Sequence, residues 1–219
     1  MNLELSLPVC IVCVVVASYL LGSFPTGVIV ARVGYGGDPR DGGSGSIGMT
    51  NMNRLFGFKA AVITFIGDAV KGMLASGLAR LLLGMTAGGA DLALWVSDAV
   101  LVCAVLASMI GHMASPWLGF AGGKGISTGF GSILVAFPLV CLVITICFAV
   151  LAGATKTVSA GSMAAAVAFP VACCALHWGS WVLIGMAVVV AVAVVWAHRG
   201  NIRRLAAGEE PKFSIHRDL

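Results

Sequence analysis

The sequence predicts an all-α integral membrane protein with about seven transmembrane helices, its N-terminus outside and its C-terminus in the cytoplasm. Three observations predict it. Hydrophobic residues make up 59% of the 219 positions and charged residues only 10%. Unbroken apolar runs such as "VLIGMAVVVAVAVVWA" exclude the alternating pattern of an outer-membrane barrel. Lysine and arginine also gather on alternate loops, as cytoplasmic loops require. Backbone polar groups in lipid must be satisfied internally, so the runs are read as helices. The whole chain, 1–219, reads as a single polytopic membrane domain.

The first span is placed at about 4–31. Its early charge is Glu4 and its first basic residue is Arg32, so it lacks the positive start of a cleaved signal and is read as retained. The next spans are expected at 57–83 and 92–115. Residues 126–154 allow two readings. As one helix they would reach roughly 43 Å, against a hydrocarbon core of about 30 Å. As two spans, 126–137 and 139–154, they turn near Pro138. The last spans are 160–178 and 181–198, followed by a tail, 199–219.

Charge decides between the readings. With seven spans, Arg32, Arg40, Arg54 and Lys59 fall inside or at the inner edge. Lys124, Lys156 and the tail from Arg199 through Arg203, Arg204 and Lys212 to Arg217 fall there too. Merging the two middle spans would send Lys156 and the tail outside, against the positive-inside bias. Trp95, Trp178 and Trp181 then mark the outer interface, and Trp117 and Trp196 the inner one. All seven cysteines lie in apolar runs and read as packing residues, without redox or zinc context. No metal and no cofactor is expected, nor nucleic acid as a partner.

Every polar, glycine-rich segment lands on the inner face, so the loops can converge on one site. Residues 42–54, "GGSGSIGMTNMNR", contain GxGxxG at Gly43–Gly48, with Asp68 twenty residues on. A dinucleotide site is excluded, because that fingerprint needs a preceding strand and Asp68 lies within a span. The local physics survives. Glycines let backbone N–H groups approach an anion, and a helix expected to start near Gly57 would aim its positive end at the loop. Arg54 adds a fork suited to phosphate. A hydrated connector is the plain alternative.

"AGGKG" around Lys124 is no Walker A, since Leu118 and Gly125 stand where that motif needs Gly and Ser or Thr. It is still an anion cradle, or else a topological anchor. Ser159 and Ser162 share a helix face, as caps or as ligands. His198 and Asn201 do the same where the last span leaves the membrane. Arg199, Arg203 and Arg204 are expected to meet lipid headgroups. Asp68 and Lys71 are expected to pair within the second span, or to serve substrate entry. Arg80 is expected to snorkel outward. His112 heads "HMASPW", where Trp stands at the Asp position of an HxxxxD acyltransferase motif, so that mechanism is not supported. The histidine is read as fixing a turn.

Together these motifs resemble one family, the acyl-phosphate-dependent glycerol-3-phosphate acyltransferases of bacteria. The likeness runs from "GSFPTG" through "GSGSIGMTN", "GDAVKG", "GH" with "GGKGISTG" and "VSAGS" to "HRGNIRRLAAGEEPKF". The resemblance implies a seven-span enzyme of the bacterial inner membrane with its site on the cytoplasmic face. It would move a fatty acyl group from acyl phosphate to the 1-hydroxyl of glycerol 3-phosphate, giving lysophosphatidic acid and phosphate, the first acylation of phospholipid synthesis. It implies catalytic roles for Ser44, Arg54, Lys124, His198 and Asn201. It implies substrate or phosphate binding by Gly43, Gly45, Thr50, Asn51, Gly123, Gly125, Ser159 and Ser162, with Glu210 as an orienting residue. The implied partners are glycerol 3-phosphate, a fatty acyl phosphate, membrane lipids and the soluble enzyme that makes acyl phosphate. The proton acceptor is His198 or a substrate phosphate oxygen.

Ser46, Ile47 and Met49 stand where the family has Asn, Pro and Ala, and Ala121 stands where it has Lys. Loss of the proline is expected to loosen the first loop. The alternatives are a small transporter of an anionic metabolite and an inactive membrane scaffold. Against a transporter stand the lack of an inverted repeat and the placing of every cradle at one surface.

Overall fold

The computed structural model describes residues 5–86 and 92–213. Glu4, outer-loop positions 87–91 and Arg217 lie outside these. The described residues form α1 (Leu7–Ser23), α2 (Thr26–Tyr35), α3 (Met49–Phe56), α4 (Phe58–Gly84) and α5 (Leu94–Met113). There follow α6 (Ile126–Ala136), α7 (Pro138–Thr155), α8 (Val158–Leu176), α9 (Trp181–Ala197) and α10 (Arg199–Ala206).

The apolar segments fall near their expected places, but they are unequal. Among the described residues five are long and apolar enough to cross a membrane: Leu7–Tyr35, α4, Leu94–Leu118, α7 and α8. A sixth arises if α9 and α10 are taken together across their 58° bend. The fourth expected span, α6, has only 11 residues, about 16 Å of helix. Pro138 begins α7 as its first residue, so 126–155 is two helices rather than one kinked rod. Pro25 breaks the first segment, leaving α1 and α2 as separate helices.

The reason α6 is short lies in its neighbour. Gly72 of α4 packs on the Thr128 backbone, and an added Cβ would sit 2.0 Å from its carbonyl oxygen. Gly131 of α6 packs reciprocally on Ala69 O, also at 2.0 Å. Further along, Ser76 and Ser132 share a 2.6 Å hydrogen bond. Arg80 then donates to Val135 O at 3.0 Å and Ala136 O at 2.8 Å. The helices therefore run parallel, with α6 starting level with Asp68, roughly 15 Å into α4. The preceding loop occupies the missing depth. Arg80, which is exposed, caps the end of α6, because that helix end leaves carbonyls without intrahelical donors.

The same close contact joins α1 to α5, where Gly22 meets Ser108 O and Gly111 meets Tyr19 O. Small residues at such crossings let backbones approach and gain dispersion contacts that lipid cannot supply. The main core lies among α1, α4, α5, α6, α7, α8 and α9, with Phe137 and Phe169 fully buried. At the end remote from Arg54 and Lys124, Asp98 of α5 accepts from Ser180 Oγ at 2.5 Å and lies 3.2 Å from His177 Nδ1, tying the α8–α9 turn to α5. All seven cysteines carry free thiols.

The α4–α6 contact supplies a test. Gly131→Ala should lower the melting temperature in detergent and cost about 1–3 kcal/mol, because the methyl meets backbone. Gly185→Ala, whose Cβ would meet nothing within 4 Å, should be neutral or mildly stabilising. Equal melting temperatures for the two variants would contradict the close contact.

Candidate active site

The loop at 42–48 is built around one buried amide. Asn51 is 2% exposed. Its Nδ2 points at Pro39 O and Ser46 O, both at 2.8 Å, and at Gly42 O at 3.3 Å. Its Oδ1 accepts the Ser44 N–H at 2.9 Å. Gly43, with φ +60°, passes so close that a Cβ would lie 2.2 Å from that Oδ1. Asn51 was expected to bind phosphate; its polar atoms are spent inside the loop, so its part is to shape it. Ile47 is 1% exposed, so burial anchors the loop where the family uses proline, and the expected loosening is offset. A second expectation changes as well: the helix that follows the loop is α3, beginning after Gly48, and not α4. Arg54 lies in the last turn of α3.

A polar chain links the other loops. Lys124, in the loop entering α6, donates a very short hydrogen bond to Asn201 Oδ1. Asn201 Nδ2 donates to Glu210 Oε1 at 2.6 Å, and Ser159 Oγ donates to the same oxygen at 2.8 Å. Arg204 Nε donates to Glu210 Oε2 at 2.7 Å. Burial pushes the Glu210 carboxyl up, but these bonds from Asn201, Ser159 and Arg204 outweigh it and hold the group below its usual range. Burial lowers the Lys124 ammonium to about 8; Glu210 opposes that fall, while Arg204 and Arg54 add to it.

His198 is 2% exposed, at the bend between α9 and α10. Its Nδ1 lies 2.8 Å from Val194 O. A carbonyl only accepts, so Nδ1 carries the proton and Nε2 keeps a lone pair. Ser162 Oγ donates to Val158 O at 2.9 Å.

These groups surround a cavity of about 520 Å³. All of the residues singled out from the sequence line it except Gly43, Gly45 and Gly123, which shape the backbone behind it. Asp68, His112 and Arg204 also line it; the sequence had left Asp68 between an ion pair and substrate entry and had read His112 as fixing a turn. Arg204 had been assigned to lipid headgroups; its spacing from Asn201, i and i+3 on α10, was the available signal. A second cavity of about 250 Å³ is lined by Met109, Phe130, Ile133, Phe169 and other apolar side chains. The two share Phe65, Ile126, Ser127, Phe148 and Ser162. A polar chamber holding cations, hydroxyls and an imidazole acceptor thus adjoins an apolar groove across shared walls.

Asn51→Ala should free the 42–48 loop. Amide hydrogen exchange at Ser44 should speed up markedly, with a stability loss of about 1–3 kcal/mol from the stranded carbonyls. Unchanged protection at Ser44 would show that the loop does not depend on this side chain.

The comparisons fit this architecture. A profile of the family described as glycerol-3-phosphate acyltransferase matches residues 12–208. A glycerol-3-phosphate acyltransferase of Halorhodospira halophila is 40% identical over 92% of this chain and 96% of its own. One from Anaeromyxobacter sp. (strain Fw109-5) is 35% identical over 92% and 95%. A crystal structure of PlsY, an integral membrane glycerol 3-phosphate acyltransferase in its glycerol 3-phosphate form, superposes with a TM-score of 0.80. That pair is 31% identical over 93% of this chain and 96% of the other. With nearly its whole length matched in both sequence and fold, this chain belongs to the glycerol-3-phosphate acyltransferase family.

Proposed function

We propose that the enzyme moves a fatty acyl group from acyl phosphate to the 1-hydroxyl of glycerol 3-phosphate, releasing lysophosphatidic acid and inorganic phosphate. The observation that carries this reading is the joining of the polar chamber to the apolar groove at Phe65, Ile126, Ser127, Phe148 and Ser162. An acyl phosphate has that shape, with an anion at one end, a hydrocarbon at the other and the reactive carbonyl between them. In this reading Arg54, Lys124 and the hydroxyl of Ser44 hold phosphate oxygens. His198 and Asn201 grip glycerol 3-phosphate, and Glu210 orients Asn201.

The hydroxyl oxygen attacks the acyl carbonyl carbon. The carbon–oxygen bond to phosphate breaks, and phosphate leaves with the electron pair. The hydroxyl proton passes to Nε2 of His198, the ring nitrogen that bears the lone pair. Phosphate is already a good leaving group, so positioning and charge stabilisation supply much of the rate. No group outside the chain and its two substrates enters these steps.

We place the chamber on the cytoplasmic face of the bacterial inner membrane, with seven crossings and the N-terminus outside. The support is the charge pattern together with the loop before α6, which fills the depth that the short helix does not cover. Acyl phosphate would come from a soluble enzyme reaching the same face.

The test is turnover by purified protein given glycerol 3-phosphate and palmitoyl phosphate, with palmitoyl-CoA in parallel. Stoichiometric phosphate and lysophosphatidic acid from acyl phosphate alone is the expected result. Activity with the thioester would mean a different donor, and no product from either would return an inactive scaffold to consideration. His198→Ala should lower kcat at least 100-fold, the usual weight of general-base catalysis being about 10²–10⁴. Near-normal turnover would hand the proton to a substrate oxygen. Lys124 is cationic below about pH 8 and neutral above it, so kcat/KM should fall as pH rises through that value. Lys124→Arg should carry the fall to higher pH, because guanidinium stays charged; an unmoved alkaline limb would assign the titration elsewhere.

A further inference from the structure

The sequence set aside two features that the reaction scheme leaves unused: the charged pair in α4, and His112. The fold brings them together, with Asp68 and His112 on the wall of the polar chamber and Lys71 behind it. Lys71 Nζ lies 2.8 Å from Asp68 Oδ1 and 2.9 Å from His112 Nδ1, and it donates to Phe24 O at 2.8 Å. That carbonyl stands at the Pro25 break between α1 and α2. Asp68, Lys71 and His112 are 1%, 5% and 3% exposed.

An ammonium offers donors and no acceptor; Nζ hydrogen-bonds with Phe24 O and His112 Nδ1 and pairs with Asp68 by charge. His112 Nδ1 is therefore the acceptor, and the proton of the neutral ring sits on Nε2. The 3.6 Å gap from Nδ1 to Asp68 is too long for a competing hydrogen bond. The other edge of the ring faces the loop that carries Lys124. A Cβ on Gly123 would lie 2.1 Å from His112 Nε2. The backbone joins in, since His112 O accepts the Gly123 N–H at 3.1 Å. Gly122 crosses so closely that its Cβ would fall 2.0 Å from the same oxygen. A buried ion pair contributes little net stability, and apolar side chains could join these helices as well. What the pair does supply is one fixed ring orientation.

We propose that His112 is a positioning residue for the acyl transfer: locked in one tautomer by Lys71 and Asp68, it seats the Gly122–Gly125 loop and so keeps Lys124 turned into the chamber. The inference rests on the reading that Lys124 holds phosphate. Glutamine at 112 can carry an amide N–H close to the place of Nε2, whereas asparagine is too short to reach Gly123. Gly123→Ala displaces the loop from the opposite side with the histidine intact.

The experiment measures kcat, KM for both substrates and the pH profile of His112→Gln, His112→Asn, Gly123→Ala and Lys124→Ala, with melting temperatures alongside. His112→Asn should raise KM for a phosphate-bearing substrate about tenfold. It should also move the alkaline limb upward, because an unseated Lys124 gains water; Glu210, Arg204, Arg54 and Asn201 are the charged and polar groups facing it. His112→Gln should stay within about threefold of the parent with its limb in place. Should the His112 variants fail to fold, Gly123→Ala reads the same seat and should show the raised KM and shifted limb. Equal kinetics for His112→Asn and His112→Gln would overturn the proposal, as would an unmoved limb in Gly123→Ala. Lys124→Ala separates the two readings: if it keeps its limb and its KM, the phosphate role of Lys124 fails. Loss of that limb together with a parent-like His112→Asn would sink only the seating role.

Discussion

A cation can be held below the surface of a lipid-solvated bundle only if the backbone carrying it is paired. That constraint governs this fold. The loop from Gly119 to Gly125 fills the depth that the short α6 leaves, and its peptide groups cannot turn to lipid for partners. Glycine makes the arrangement possible twice over. Gly72 and Gly131 bring α4 and α6 into backbone contact, which sets how deep α6 begins. Gly122 and Gly123 then let the loop lie on His112. A side chain at any of these positions would push the loop outward, and Lys124 with it.

The second consequence concerns closure. The chamber has contributions from α3, the loop before α6, the start of α8 and the segment after α9, which are far apart in sequence. What joins the last three is Glu210, a single carboxylate beyond α10, which receives Ser159, Asn201 and Arg204, Asn201 in turn holding Lys124. The Phe213 N–H donates to Lys156 O at 2.8 Å and fastens the same segment to the end of α7. The segment after the last helix thus acts as a wall of the chamber. The 58° bend at His198 is what turns α10 back across the opening. It also places the His198 ring under the bend, with one nitrogen committed to the preceding turn.

Much of this was legible in the sequence, and the reasons are specific. Long apolar runs and basic loops report their environment residue by residue, so the helices and the gathering of polar loops could be read directly. Lys124 stood out as a lysine framed by glycines, whereas Ser159, Asn201 and Glu210 were assigned through the family resemblance. Three things were hidden. Helix α3 is amphipathic and brief, so it looked like loop, and the orientation of Arg54 was lost with it. Asn51 carries the composition of a ligand, but its bonds run to carbonyls that no pattern announces. His112 and Arg80 act on backbone atoms of distant segments, and a sequence shows side chains and not the carbonyls they will meet. The bounds of α6 were legible, 126–137 expected against Ile126–Ala136 found, but its close contact with α4 was not.

Charge accounting ties the chamber to its ligands. Six ionised side chains line it besides the histidines: Arg54, Lys124, Arg204, Lys212, Asp68 and Glu210. Asp68 is matched by Lys71 behind the wall, and Glu210 by Arg204. What remains facing the space is the positive charge of Arg54, Lys124 and Lys212, of which Lys124 is partly desolvated and so worth more than in water. An uncharged lipid would gain nothing from such a surplus. In the proposed reaction an acyl phosphate gains twice, on binding and again as negative charge moves onto the departing phosphate. The apolar groove on the other side of Ser127 and Ser162 offers no counter-charge at all. The carbonyl that joins phosphate to chain therefore has one favourable place, at the line where the two environments meet, and that line runs through the polar groups that would act on it.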